Sequence, residues 1–208
     1  MTGRAHWDAT YTRSPLDRLG WYEASPAVSL EMVERTGVSP DDLVIDVESG
    51  ASTFIAALTD LGFRRLAAVD ISAVALDHLR AMLGDRAEAV TFVEGDVSRP
   101  ETFAGLTGAA LWHDRAALHF LTDPADRTGY AQAVRATVRP GGWVMLAAFA
   151  IGGATECSNL PVVNYDASMF SALLGEGFDL VEARDHLYIN PGGGERPYVY
   201  ALFRRSGG

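Results

Sequence analysis

The sequence predicts an α/β fold: a doubly wound, seven-stranded, mostly parallel sheet closed by a C-terminal antiparallel hairpin. Three observations carry this. Short apolar runs recur about every 25 residues from Leu43 to Val97 with helical apolar spacing between them, which is the pattern of buried parallel strands joined by crossover helices. The alternation continues through a fourth and a fifth run, ending near Phe149. Beyond that point two strand-like runs are joined by the glycine-rich segment Asn190 to Gly194, as an antiparallel pair requires.

Residues 1–25 read as irregular and aromatic-rich, with Trp7, Tyr11, Trp21 and Tyr22 among polar residues. Ser25-Pro26 then opens a helix through Val28, Leu30, Met32 and Val33, which Gly37 ends. Strand one is Leu43 to Val47, followed by a turn from Glu48 to Ser52 and a helix from Thr53 to Leu61 that Gly62 stops. Strand two is Leu66 to Asp70. Ser72 caps the next helix, where Val74, Leu76, Leu79 and Met82 keep helical spacing up to Gly84. Strand three is Val90 to Val93, and strand four, Ala109 to Trp112, leads directly into His113-Asp114-Arg115. A helix from Pro124 to Val138 and a turn at Arg139-Pro140-Gly141-Gly142 precede strand five, Trp143 to Ala148. A loop from Ile151 to Asn164, a helix from Ala167 to Leu174 and strands at Phe178 to Ala183 and Tyr198 to Phe203 complete the chain. One domain over 1–208 is expected, with an N-terminal lid and helix (1–35), a core (36–150) and a substrate-side loop with the hairpin (151–208).

Composition narrows the function. The chain of 208 residues is 48% hydrophobic, enough for a sizeable core, and no Pro/Gly/Ser-rich linker divides it. Its formal net charge is −10 and all 17 basic residues are arginine, so there is no basic face for nucleic acid. No apolar run reaches the roughly 18–20 residues that span a bilayer, and the N-terminus lacks a signal-peptide core, so neither a membrane partner nor export is expected and the location expected is cytoplasmic. The one cysteine, Cys157, has no partner for a disulfide, and nothing in the sequence proposes a metal.

Three acids sit where the strands end: Asp46 in LVIDVESGAS, Asp70 in LAAVDIS and Asp96 in VTFVEGDVS. A turn of small residues after the first strand, and an acid suited to a ribose diol about 20 residues on, describe a nucleoside-binding domain. A lone Asp after a strand as often caps a helix or anchors a loop. A dinucleotide would need a G-x-G-x-x-G turn to seat its pyrophosphate, and this turn offers Glu48 and Gly50, whose negative charge repels phosphate.

These residues resemble the class I S-adenosylmethionine-dependent methyltransferases, in particular small bacterial-type members of the methyltransferase-domain 12/25 kind. The matching parts are Val44 to Ser52, the second-strand acid in Val69-Asp70-Ile71-Ser72, Gly95-Asp96-Val97, and the Arg-Pro-Gly-Gly turn before strand five. Trp7-Asp8 with Tyr11, and Trp21-Tyr22-Glu23, are similar to the N-terminal lid of such proteins. The likeness spans about residues 6–204 and implies a Rossmann-like methyltransferase fold, S-adenosylmethionine as cofactor with S-adenosylhomocysteine as product, and methyl transfer to O, N or S.

Carried onto this chain, the resemblance implies cofactor contacts from Asp46, Glu48, Gly50, Ser52, Asp70, Ile71, Asp96, Val97, His113 and Trp21. Gly50 would let the backbone approach the methionine part, Asp70 would accept from both ribose hydroxyls, Ile71 would pack on the adenine face, Asp96 would accept from the adenine amino group and Val97 would cover the ring. His113, just past strand four, would lie near the methyl group and is the candidate base, with His113 or His119 as a simple packing residue the alternative. Arg115, Cys157 and Tyr22 are the candidate substrate contacts. Tyr165, Tyr188 and Tyr198 are read as half-buried packing residues or as an aromatic cradle for the sulfonium. The chain departs from the family pattern at Glu48, where a glycine is usual. A small-molecule acceptor is the first expectation, a protein lysine the second and nucleic acid the third; a different class, a degenerate member acting through protein contacts, stays open because of Glu48. Oligomeric state is not readable.

Overall fold

The runs that are almost wholly apolar become the middle of the sheet. In the computed structural model, which describes residues 3–207, the parallel strands are β1 (Val44–Val47), β2 (Leu66–Asp70), β3 (Val90–Glu94), β4 (Ala109–Arg115) and β5 (Val138–Phe149). A separate two-stranded hairpin, β6 (Glu156–Cys157) and β7 (Leu160–Pro161), precedes the long terminal strands β8 (Phe178–Ile189) and β9 (Glu195–Arg205). The seven-stranded sheet has the order β3-β2-β1-β4-β5-β9-β8, with β9 antiparallel to both β5 and β8. The predicted class and the appended hairpin are therefore what the chain forms. Met1, Thr2 and Gly208, which the expected domain 1–208 includes, lie outside the described residues.

Local chemistry sets the helix boundaries. Ser52 and Ser72 cap α3 (Thr53–Asp60) and α4 (Ala73–Leu83) by accepting from Ile55 N (3.1 Å) and Ala75 N (3.2 Å). Asp123 with Pro124 starts α5 (Pro124–Thr137), Asp166 starts α6 (Ala167–Leu174), and Gly37, at φ +66°, ends α2 (Ala27–Thr36). Met32, Phe54, Ile55 and Leu79 of α2 to α4 cover one face of the sheet. Tyr130, Val134 and Phe170 of α5 and α6 cover the other. Each such side chain is nearly or fully buried and contributes about 1.5–3 kcal/mol of transfer free energy. Gly129 inside α5 has a packing reason: a Cβ there would strike the carbonyl oxygen of Ser98 in the turn after β3.

The structure departs from the sequence reading in several places. Residues 4–13, expected to be irregular, form a helix, α1 (Arg4–Arg13), that buries only Trp7 and Tyr11. So narrow a stripe gives little periodic signal, and the helix is stabilised by what it docks on. Strand β4 runs on through His113, Asp114 and Arg115, because polar side chains are tolerated where the strand reaches a cavity. The Arg139 to Gly142 turn lies inside β5, where the register shifts between the Ala109–Val138 and Leu111–Trp143 pairs. The β6–β7 hairpin interrupts the expected loop, and β8 and β9 are each longer than their apolar runs.

One polar group in the core bears on the site. Along β4, Trp112 and Asp114 face α5, where the Trp112 indole N–H donates to the Tyr130 hydroxyl (3.0 Å), which donates to Asp114 Oδ2 (2.7 Å). Asp114 Oδ1 accepts from the N–H groups of Ala117 and Leu118, which turns the chain after β4. Tyr130→Phe strands a buried indole N–H and a carboxylate oxygen, and urea unfolding is expected to show a loss of about 2–4 kcal/mol.

Candidate active site

The strand order reverses between β1 and β4, and an open α/β sheet leaves a crevice outside the carboxyl ends of such a pair. Two adjoining cavities occupy it. Glu48, Arg115, Tyr11 and Trp21 line both. Asp70, Trp7, Phe120, Ala116 and Ala117 complete the first; Asp46, Ser52, His113, Ser29, Tyr22 and Glu23 are among those lining the second.

Helix α1 is the roof. Trp7 packs edge-on against Trp21 (5.6 Å) and Phe120 (5.0 Å), and the Tyr11 hydroxyl occupies the space a Cβ on Gly50 would take. Gly50 is thus required twice, by this approach and by its φ of +53°. Polar contacts hold the helix at several points: Ser72 Oγ donates to Asp8 Oδ1 (2.6 Å), His78 Nε2 to the Tyr11 carbonyl (3.2 Å), and Arg4 pairs with Glu94 (2.6 Å).

Two non-glycine residues take left-handed backbone at the ends of the two strands, Glu48 at φ +48° and Ala116 at φ +68°. Such conformations cost roughly 1–3 kcal/mol each and gather at functional sites. Glu48 stands half-buried in the turn, and its Oε1 is sealed from solvent with no hydrogen-bond partner among the described residues. Burial first, then the charges of Asp70, Asp114 and Asp96, push its carboxyl well above the usual range. Asp70 accepts from Gly50 N (2.7 Å) and Ser72 N (2.8 Å), one on each oxygen, leaving each oxygen a second lone pair. Burial nonetheless raises its pKa to about 7.

Along β4, His113 and Arg115 face away from α5. His113 is 3% exposed, stacks on Phe54 (3.9 Å between centroids), donates from Nδ1 to Asp46 Oδ1 (2.6 Å) and shares a hydrogen bond between Nε2 and Ser29 Oγ (2.8 Å). Asp46 Oδ2 accepts from Ser52 Oγ (2.6 Å). The expected base thus lies within the strand and has both ring nitrogens engaged by the chain itself. His119 is fully buried with neither nitrogen bonded, and burial drops its pKa to about 3.

The other expected residues fall into two groups. Tyr22, Trp21, Ser52 and Arg115 reach the cavities; Ile71, Asp96, Val97 and Cys157 do not line them. Ile71 packs with Trp7 and Tyr11 under α1, Val97 is fully buried in the core, and Asp96 accepts from Ser98 N and Oγ (2.8 and 2.6 Å). Cys157 is half-buried in β6, its thiol pushed up to about 11 by burial. Tyr188 and Tyr198 flank the Arg115 guanidinium at 5.0 Å each, and Tyr165 stacks on Phe170. Ser29 and Phe120 were missed; the only signal for Ser29 was a hydroxyl on the apolar stripe of α2. Among the described residues no group of His, Cys, Asp and Glu could hold a metal ion, and no helix is long and apolar enough to cross a membrane.

No family model matches the chain, and no curated protein does. Solved structures match it in fold. A protein described for the conversion of a disulfide bond into a thioacetal group during echinomycin biosynthesis has a TM-score of 0.77 at 20% identity, over 98% of this chain and 93% of its own. A SAM-dependent methyltransferase from Anabaena variabilis has a TM-score of 0.77 at 17% identity, over 97% and 93%. The glycopeptide N-methyltransferase MtfA, complexed with S-adenosylmethionine, reaches 0.64 at 20% identity, over 89% and 96%. The chain therefore has the fold of S-adenosylmethionine-dependent methyltransferases.

Two stability measurements check this geometry. Asp70 binds a proton near pH 7 when folded but has an ordinary value of 3.8, so its contribution grows as pH falls through 7; His119, at about 3 against 6.5, works in the opposite sense below 6.5. The difference between wild type and Asp70→Asn isolates the first, and the wild type is expected to gain about 2 kcal/mol on the variant between pH 8 and 5.5. His113→Gln, which cannot reach Asp46 and Ser29 together, is expected to lower unfolding free energy by about 2–3 kcal/mol in the same assay.

Proposed function

We propose that this protein is an S-adenosylmethionine-dependent methyltransferase that moves a methyl group to a nucleophilic oxygen, nitrogen or sulfur of a small molecule. The observation that carries the reading is Glu48, which lines a cavity with Asp70 and whose buried Oε1 has no hydrogen-bond partner among the described residues. Two carboxyl groups gathered in an aromatic-walled crevice are costly alone and suit a ligand that brings positive charge. The cofactor's sulfonium supplies both the charge and the methyl group, and its ammonium group complements Glu48. Asp70 has lone pairs left for two ribose hydroxyls while backbone N–H groups hold it in place. Such a turn would repel the pyrophosphate of a dinucleotide.

The residues of this chain then bind, orient and exclude water rather than form covalent bonds. Trp7, Tyr11, Trp21 and Phe120 roof the crevice against solvent. His113 and Asp46 act as positioning residues, holding α2 and the start of α3 against β1 and β4. A small acceptor fits better than a protein lysine because α1 covers the cleft. MtfA, similar in fold, is complexed with S-adenosylmethionine, and that supports the cofactor assignment.

Glu48 favours one other reading, an interaction protein that binds the cofactor poorly, because the side chain occupies a left-handed turn where the family has glycine. Calorimetric titration decides. S-adenosylmethionine and S-adenosylhomocysteine are expected to saturate the protein in the micromolar range and NAD not to bind, with Asp70→Asn about tenfold weaker. Affinity for S-adenosylmethionine is expected to rise as pH passes upward through 7, where Asp70 ionises. No binding by the wild type, restored by Glu48→Gly, would establish the second reading.

A further inference from the structure

Among the described residues Arg115 is the one arginine lining either cavity, and nearly every part of its head is held. Nε lies 2.9 Å from Glu23 Oε2 and donates to the Tyr200 hydroxyl (3.0 Å), Nη1 donates to the Trp21 carbonyl (2.9 Å), and the guanidinium carbon lies over the rings of both Tyr188 and Tyr198 at 5.0 Å from each centroid. The side chain is only 10% exposed. Its Nη2 is sealed from solvent and has no hydrogen-bond partner among the described residues. A buried guanidinium nitrogen left without an acceptor is costly, and anchoring all the rest fixes where an acceptor must sit.

Within the cavity this group and Asp70 stand at the ends of different strands. β1 lies between β2 and β4; Gly50 and Asp70 stand at the β1–β2 side of the crevice, and Arg115, Ala116, Ala117 and Phe120 at or beyond the end of β4. The tyrosines around Arg115 come from β8 and β9, at the far edge from the ribose acid. The walls beside it are flat and apolar: Trp7, Trp21 and Phe120.

Resting on the methyltransferase reading, the geometry points to the class of acceptor: a small molecule with a flat, apolar body and a carboxylate, which Arg115 binds through Nη2. A carboxylate gives this nitrogen a charge-assisted acceptor where a neutral carbonyl gives a weaker one. Glu23 already shares the guanidinium charge, so it competes with the incoming anion and limits its affinity.

The test uses 2-naphthoate and its neutral isostere 2-naphthamide, titrated calorimetrically into the protein saturated with S-adenosylhomocysteine. The carboxylate is expected to bind about tenfold or more tightly than the amide. Arg115→Met is expected to abolish that preference, and Glu23→Gln, which removes the competing charge but keeps an acceptor for Nε, to raise the carboxylate's affinity severalfold. Equal binding of the two probes, no binding of the carboxylate, or no response to Glu23→Gln overturns the inference and leaves the cofactor assignment standing. If Arg115→Met does not fold, Glu23→Gln decides. If S-adenosylhomocysteine itself fails to bind, the methyltransferase reading fails instead, and the carboxylate-over-amide preference in the free protein settles the role of Arg115.

Discussion

Asp46 is the joint on which the crevice depends. Its carboxylate lies in the middle of a strand buried on both faces, accepting from His113 on the neighbouring β4 and from Ser52 at the start of α3, while His113 reaches on to Ser29 of α2. Four elements that meet at the reversal of strand order are thereby tied through one charge. A buried carboxylate without partners would be strongly unfavourable, so the network forms together or not at all. That cooperativity keeps the ends of β1 and β4 at a fixed separation, and the cavities exist because those ends are held there.

The opposite face of β4 is held in a different way. Alternation along the strand sends Trp112 and Asp114 toward α5, and His113 toward α2 with Arg115 toward Trp21 and Glu23 before it, so one four-residue stretch serves the core on one side and the crevice on the other. Asp114 accepts from the residues that follow Arg115, and burial raises its pKa to about 6. Glu48, Asp70 and Asp114 together make this end of the sheet electrostatically expensive. The roof of α1 increases the expense by excluding water, and the same exclusion strengthens every interaction made with a ligand inside. Stability given up here is the ordinary companion of a binding site.

Much of this was readable residue by residue. Apolar runs placed the strands and period-3.6 spacing the helices, and the cap at Ser72 and Ser25-Pro26 placed helix starts, because those features are local. Glu48, Asp70 and Arg115, singled out from the sequence and its family resemblance, do line the crevice. What escaped was non-local. Helix α1 has too narrow an apolar stripe to announce itself, and its order comes from Trp7 and Tyr11 docking on residues more than 60 positions away. Ser29 looked like one polar residue on a helix, and nothing nearby in the chain marks its partner 84 residues on.

The sequence by itself determined the fold class, the succession of strands and helices, and the acids at the ends of the first strands, since each follows from short-range periodicity and spacing. Only the tertiary structure decided which of those side chains face the crevice. It turned Val97 into the core, engaged both nitrogens of His113, drew Glu23 and three tyrosines around Arg115, and left Glu48 Oε1 and Arg115 Nη2 without partners among the described residues. Burial and pairing are properties of a packed neighbourhood, and for these residues that neighbourhood is assembled from segments the chain brings together from its two ends.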